Sequence, residues 1–153
     1  MAVYYFDSSA IVKRYVDEAG SDSVEALLAD PSNVICASRL TEVEVASAIT
    51  RRGYGARLSE AAISSNLRVF RMDFAERYWA LDVTRELMDQ AVSLAREHRL
   101  RGYDAMHLAT ARDLLRQGAA QHLDRLSLVS ADAALNAAAE AEGIVALDPT
   151  QDA

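Results

Sequence analysis

The sequence predicts an α/β protein with a mainly parallel central sheet, and three observations carry that reading. Short apolar, β-prone runs recur at residues 3–6, 34–37, 78–83, 126–129 and 144–147, and sequence of helical periodicity lies between them. The connections between successive strands are long enough for crossover helices, which parallel pairing requires. Polar residues stand directly beyond several of the strands, where open α/β sheets collect their ligands.

In chain order, Val3-Tyr4-Tyr5-Phe6 runs as a buried strand into Asp7-Ser8-Ser9, and a short helix is expected from Ser8 to about Val16. Ser21 is expected to cap a second helix with Val24, Leu27 and Leu28 on one face, broken at Asp30-Pro31-Ser32-Asn33. After the strand at 34–37, Thr41-x-x-Glu44 matches a capping box opening a third helix, which Gly53 and Gly55 would end. Ser59 opens a longer helix whose Ile63, Leu67, Phe70 and Phe74 form a core stripe. Thr84 caps a further helix with Leu87, Met88, Ala91, Val92 and Ala95 inward, and Gly102 is its expected terminator. Tyr103 to Ala111 reads as an Ala-rich helix lying close to the sheet, with Asp104 at its start. A polar connection over 118–125 leads to the fourth strand, then to a helix begun by Ser130-Ala131-Asp132 and ended by Gly143. The last strand follows at 144–147. Trp79, Phe70 and Phe74 are expected in the core or at a dimer contact.

Length and composition bound the rest. A chain of 153 residues, 51% hydrophobic and 25% charged, has the size and balance of one globular domain, expected over 1–148 with a short frayed tail at 149–153. No apolar run reaches the length of a membrane span, and no basic-then-apolar leader precedes the first strand, so a cytoplasmic protein is expected. Cys36 is the single cysteine, which excludes an internal disulfide, and with three His the chain cannot build a usual Cys/His zinc site. Any metal here would be held by oxygens. The net charge of −7 argues against a surface that attracts nucleic acid everywhere. Fifteen of the sixteen basic residues are nonetheless Arg, Lys13 being the exception, and the planar Arg fork suits phosphate and carboxylate.

Placed on this map, Asp7, Glu44, Asp104 and Asp132 each fall in the first turn of a helix, and Asp7, Glu44 and Asp132 follow strands closely. Right-handed crossovers bring helices that follow parallel strands to one edge of the sheet, so these helix starts can converge. Each acid alone is adequately explained as a cap stabilised by the helix dipole. Four together are not, because two carboxylates about 4 Å apart repel by about 4 kcal/mol at an effective dielectric of 20. A cation resolves the conflict, and a set of hard oxygen donors favours Mg²⁺ or Mn²⁺. Such an ion activates water and clamps a phosphoryl oxygen, which are the parts needed to hydrolyse a phosphodiester.

The sequence resembles the PIN-domain ribonucleases, and among them the VapC-like toxins of type II toxin–antitoxin systems. The resemblance covers nearly the whole chain. It rests on Phe6-Asp7-Ser8-Ser9, on Ser38-Arg39-Leu40-Thr41-Glu42-Val43-Glu44, on Arg101-Gly102-Tyr103-Asp104-Ala105-Met106-His107-Leu108-Ala109-Thr110-Ala111, and on Leu128-Val129-Ser130-Ala131-Asp132-Ala133-Ala134-Leu135. It implies a three-layer α/β/α sandwich and a Mg²⁺- or Mn²⁺-dependent endoribonuclease with Asp7, Glu44, Asp104 and Asp132 as catalytic, metal-binding quartet. Ser8 and Ser130 would support them. Glu42 competes with Glu44, which is preferred because it lies three residues after Thr41, as in the family pattern. A homodimer and a small antitoxin whose tail enters the crevice are also implied.

Among the lesser features, Arg99 and Arg101 precede Asp104 and are candidates to hold phosphate, as are Arg51 and Arg52 beside Tyr54. His107 is read as a structural histidine, since imidazole matches a hard ion poorly. Two alternatives stand beside the nuclease reading. An aspartyl-phosphate phosphatase or receiver-type domain would need a Lys at the phosphate, and Lys13 lies two turns along the first helix. A catalytically inactive binding module with the same fold would not need four intact acids.

Overall fold

β-branched and aromatic residues bounded by turn formers produce five short strands. The computed structural model describes residues 2–120 and 125–151. Among them β1 (Val3–Phe6), β2 (Val34–Ser38), β3 (Trp79–Leu81), β4 (Leu126–Val129) and β5 (Val145–Leu147) form one parallel sheet of order β3-β2-β1-β4-β5. β1 is central, with Tyr5 opposite Cys36 on one side and Leu128 on the other. The chain leaves β1 toward β2 on one side and later returns to β4 on the other. The carboxyl ends of β1 and β4 therefore flank the switch point at which such sheets bind ligands.

The described helices are α1 (Ser8–Ile11), continued by a 3-10 turn over Val12–Arg14, α2 (Ser21–Ala29), α3 (Leu40–Gly55), α4 (Glu60–Glu76), α5 (Arg85–His98), α6 (Gly102–Ala120) and α7 (Ala133–Ala141). Strand side chains alternate between faces, and two cores result. Tyr5, Cys36 and Leu128 pack with Leu87 and Leu94 of α5, Leu108 of α6 and Leu135 of α7. Phe6, Ile35, Ala37 and Val129 pack on the other face with Ile11, Val24, Val45, Ile49, Phe70 and Phe74. Helices thus cover both faces, giving the expected three-layer α/β/α sandwich. Tyr15, Phe70, Phe74 and Tyr78 stack edge to face in series, tying α4 to the turn after α1.

Several local expectations are corrected. The N-cap of α2 is Gly20 at φ 88°, not Ser21, whose hydroxyl instead accepts from Glu18 N and donates to the Val16 carbonyl. Gly53 does not end α3 but sits inside it, where a Cβ would lie 2.6 Å from Ile63 Cγ1, so its role is close helix packing. On α5, Leu87, Ala91 and Leu94 face inward while Met88 and Val92 are exposed. Gly102 opens α6 rather than closing α5, whose C-cap is Arg99 at φ 55°. Trp79, on edge strand β3, is 67% exposed and lies outside the core. The helix before β4 reaches Ala120, and residues 121–124 of the expected connection lie outside the described residues. Pro149 is not frayed but buried, its carbonyl pressed close to Gly20.

Candidate active site

Asp7 follows β1 directly and caps α1. Its Oδ1 accepts from Ala10 N at 3.0 Å and from Ser9 Oγ at 2.7 Å, and its Oδ2 accepts from Ser130 Oγ at 2.6 Å. The residue is 3% exposed. Burial pushes its carboxyl pKa up, against the nearby His107 and the hydrogen bonds from Ser130, Ser9 and Ala10. Asp132 caps α7 in the same way, accepting from Leu135 N at 2.9 Å, and its own N–H donates to Ser130 Oγ at 3.0 Å. One serine therefore joins the acids after β1 and β4.

Asp104, in the first turn of α6, and Asp132 are bridged by a single cation. Arg101 donates from Nε to Asp104 Oδ2 and from its guanidinium to Asp132 Oδ2, both at 2.9 Å. Its side chain is 80% exposed, so it closes the crevice from the solvent side.

Glu44 lies one turn inside α3 and forms no capping box. Arg39 stands at the helix cap with no side-chain capping bond, its guanidinium pairing instead with Asp82 at 2.6 Å, and Thr41 Oγ1 is buried with no hydrogen-bond partner. The Glu44 carboxylate turns to the crevice instead, where Oε2 accepts from Ser8 Oγ at 3.2 Å and Oε1 bonds His107 Nε2 at 2.7 Å. Glu42 points away and is exposed, lining a separate groove with Val43, Phe70 and Arg71. His107 is buried, and its Nδ1 meets the Tyr5 hydroxyl at 2.8 Å. Burial would lower the His107 pKa, but the bond to Glu44 and the charges of Glu44, Asp7 and Asp104 raise it. The Tyr5 hydroxyl is held well above its ordinary pKa, chiefly by burial.

All four acids line one crevice of about 700 Å³, together with Ser8, Ser9, Arg51, Arg101 and Tyr103. An adjoining space of about 760 Å³ continues along α3 past Ser47 and Ala48 to Arg51 and Arg52. Arg52 is also paired with Glu18 at 3.2 Å. Arg99 lines neither space. No three of these acids bring ligand atoms within 4.8 Å of one another. Among the described residues, the trio of possible metal-ligating side chains whose ligand atoms lie within 4.8 Å of one another is Glu97, His98 and Glu142, at the other end of α7 from Asp132.

The family model of the PIN domain matches residues 4–139. This chain belongs to the PIN-domain family. Ribonuclease VapC45 of Mycobacterium tuberculosis (strain CDC 1551 / Oshkosh) is 36% identical over 115 residues, which cover 72% of this chain and 76% of that relative. Among solved structures, a toxin–antitoxin complex from Klebsiella pneumoniae matches with TM-score 0.62 and 21% identity, over 97% of this PIN domain and 98% of that chain. VapC20 of Mycobacterium tuberculosis, a sarcin–ricin loop cleaving toxin, matches with TM-score 0.64 and 17% identity, over 88% and 94%. At these identities the two structures bear on fold alone.

Three residues in or behind this PIN domain's crevice escape a reading by residue type. Ser9 receives Ala131 N at 2.9 Å while donating to Asp7, so it ties the two strand ends together. Its place in Asp-Ser-Ser is the only hint the sequence offers. Tyr5 reads as a core aromatic, and its hydroxyl matters only once His107 is beside it. Arg101, read as a phosphate ligand, is here the counter-charge of two acids.

Proposed function

We propose that this PIN domain is a Mg²⁺- or Mn²⁺-dependent endoribonuclease that hydrolyses RNA phosphodiester bonds and serves as the toxin of a toxin–antitoxin pair. Asp7, Glu44, Asp104 and Asp132 are its metal-binding and catalytic residues. The observation that carries this reading is the convergence of four carboxylates, from the end of β1, the second turn of α3 and the starts of α6 and α7, in one crevice with a guanidinium across two of them. Likeness to Ribonuclease VapC45 supports RNA as the substrate.

The residues fit a hard divalent cation. Every donor is a carboxylate or hydroxyl oxygen, Asp7 is a buried acid that ionises more readily beside positive charge, and Arg101 already stands as a cation against Asp104 and Asp132. A bound divalent ion supplies Lewis acidity and lowers the pKa of a water near the phosphate. The chain does the positioning. Ser9, Ser130 and the α1 backbone fix Asp7, and Ser8 steadies Glu44. Arg101, once displaced from Asp104 and Asp132, is free to hold a phosphate oxygen at the rim. Arg51 and Arg52 line the extension where a strand would continue, and the exposed Tyr103 ring offers a face for a base.

The same reading includes a small antitoxin, supported by the fold shared with the Klebsiella pneumoniae toxin–antitoxin complex. A cationic side chain from its tail would complement the crevice as Arg101 does. A homodimer and action in the cytoplasm complete the proposal. The exposed Met88 and Val92, one turn apart on α5, supply apolar surface for self-association. No described helix is long and apolar enough to cross a membrane. The aspartyl-phosphate alternative loses its Lys, because Lys13 is paired with Glu18 at 2.9 Å.

The deciding experiment is cleavage of RNA by the purified chain with Mg²⁺ or Mn²⁺, with EDTA, and by Asp7→Asn and Asp104→Asn variants. Metal-dependent cleavage, reduced by at least about 100-fold in variants that melt like wild type, is expected. Equal cleavage by variants and wild type, or by wild type in EDTA, would overturn the proposal.

A further inference from the structure

We infer that His107, held from behind by Tyr5, is a positioning residue that locks the Glu44 carboxylate so that Oε2 faces the crevice. The inference rests on the proposed role of Glu44 as a metal ligand. The geometry is a chain of two short hydrogen bonds running from the core to the site, Tyr5 hydroxyl to His107 Nδ1 at 2.8 Å and His107 Nε2 to Glu44 Oε1 at 2.7 Å. Three elements, β1, α6 and α3, each contribute one group. Tyr5 and His107 are both essentially inaccessible to solvent, whereas Glu44 keeps part of its surface open to the crevice.

Glu44 needs such a tether more than the acids at the strand ends do. Asp7 and Asp132 are short side chains fixed by helix N–H groups, Ala10 N and Leu135 N. Glu44 is longer, stands inside α3 beyond the free N–H groups of its first turn, and is held by the side chains of Ser8 and His107. The Glu44 carboxylate can only accept, so Nε2 carries a proton and donates to Oε1, both in the neutral ring with the Tyr5 hydroxyl donating to Nδ1 and in imidazolium with Nδ1 donating to that hydroxyl. Oε1 is thereby engaged, and Oε2, which accepts only the longer bond from Ser8 Oγ at 3.2 Å, keeps a lone pair for a cation. A purely packing role would not call for imidazole here, because an apolar side chain of similar volume fills a core without two polar atoms to satisfy. Hydrogen bonds behind a ligand that orient it in this way alter metal affinity by about 10- to 100-fold when removed.

The test is Mn²⁺ affinity measured by calorimetry on the full chain, for wild type, His107→Leu, His107→Gln and Tyr5→Phe, each also combined with Glu44→Gln. His107→Leu is expected to weaken Mn²⁺ binding about 10-fold or more, and His107→Gln, whose amide N–H replaces the Nε2 donor, to recover most of it. Tyr5→Phe should weaken binding about threefold by freeing the ring. On the Glu44→Gln background none of the three should change the affinity further, which a merely structural histidine would not satisfy. Unchanged affinity in folded His107→Leu, or equal losses with and without Glu44, would overturn the inference while leaving the metal site standing. Should His107→Leu fail to fold, unchanged affinity in Tyr5→Phe would overturn it. No Mn²⁺ binding by wild type would overturn the metal reading itself, and this inference with it.

Discussion

The Ser130 hydroxyl donates a 2.6 Å hydrogen bond to Asp7 Oδ2, joining the carboxyl ends of β4 and β1 across the floor of the crevice. The same oxygen receives Asp132 N at 3.0 Å, so one fully buried hydroxyl sets two acids at once. Removing it leaves a buried carboxylate short of a donor. Ser130→Ala is therefore expected to cost about 1–3 kcal/mol in thermal or denaturant unfolding at neutral pH. RNA cleavage should fall about 10- to 100-fold in the same variant. Wild-type stability and rate together would show that the bond does neither job.

Arg101 and a divalent ion compete for Asp104 and Asp132. Arg101→Gln removes the internal counter-charge, so Mn²⁺ should bind about threefold or more tightly to the variant at low salt, with a difference that narrows as salt screens it. Cleavage should nevertheless slow, since the phosphate loses its rim contact. Titration calorimetry at two ionic strengths checks the first part, and single-turnover cleavage checks the second. In both proteins Mn²⁺ should raise the melting temperature by relieving repulsion among the acids.

Gly53 brings α3 and α4 together at Ile63. An alanine there gains helix propensity of about 1 kcal/mol, but its Cβ would fall 2.6 Å from Ile63 Cγ1 in a packed interior. The clash dominates, and Gly53→Ala should destabilise by about 1–3 kcal/mol. On an Ile63→Ala background the same change should be neutral or stabilising. A double-mutant cycle by urea unfolding reads the coupling directly.

Glu142, at the C-cap of α7, bonds His98 Nε2 at 2.8 Å and Arg112 at 3.1 Å. The hydrogen bond from His98 lowers its pKa below the ordinary 4.5, burial opposes this, and Arg112 adds to the lowering. A depressed carboxylate stabilises the fold above its unfolded pKa and loses that contribution as pH falls through the folded value. Glu142→Gln should thus lower the melting temperature by about 2–4 °C at pH 6, and the gap to wild type should close at acid pH below 4.5. Melting curves across pH 3 to 7 are the check, and a gap independent of pH would contradict the assignment.

Much of this architecture is legible from residue order because its signals are local. The alternation of Tyr5 and Phe6 between two cores follows from strand periodicity, as the Ile63, Phe70 and Phe74 stripe follows from helical periodicity. Asp7, Ser59, Thr84 and Asp132 cap the helices that their positions announce. The misread features share a cause. Thr41-x-x-Glu44 has the spacing of a capping box, yet Glu44 is taken by His107, 63 residues on. Gly102 looked like a terminator because glycine tolerates a left-handed backbone, but Arg99 adopts that conformation and Gly102 begins the next helix. Met88 and Val92 are apolar at nearly the right spacing, and the sheet simply does not reach their side of α5.

By itself the sequence determined the α/β class, the places of the strands along the chain, and the four acids near helix starts, since each depends on neighbours within a few residues. The tertiary structure alone decided that those acids line one crevice, that Arg101 spans Asp104 and Asp132, and that Tyr5 and His107 stand behind Glu44. Ser130 lies 123 residues from Asp7, and His107 lies 102 from Tyr5. Contacts at that separation exist only after a parallel sheet has brought the ends of β1 and β4 side by side, and no local pattern encodes them.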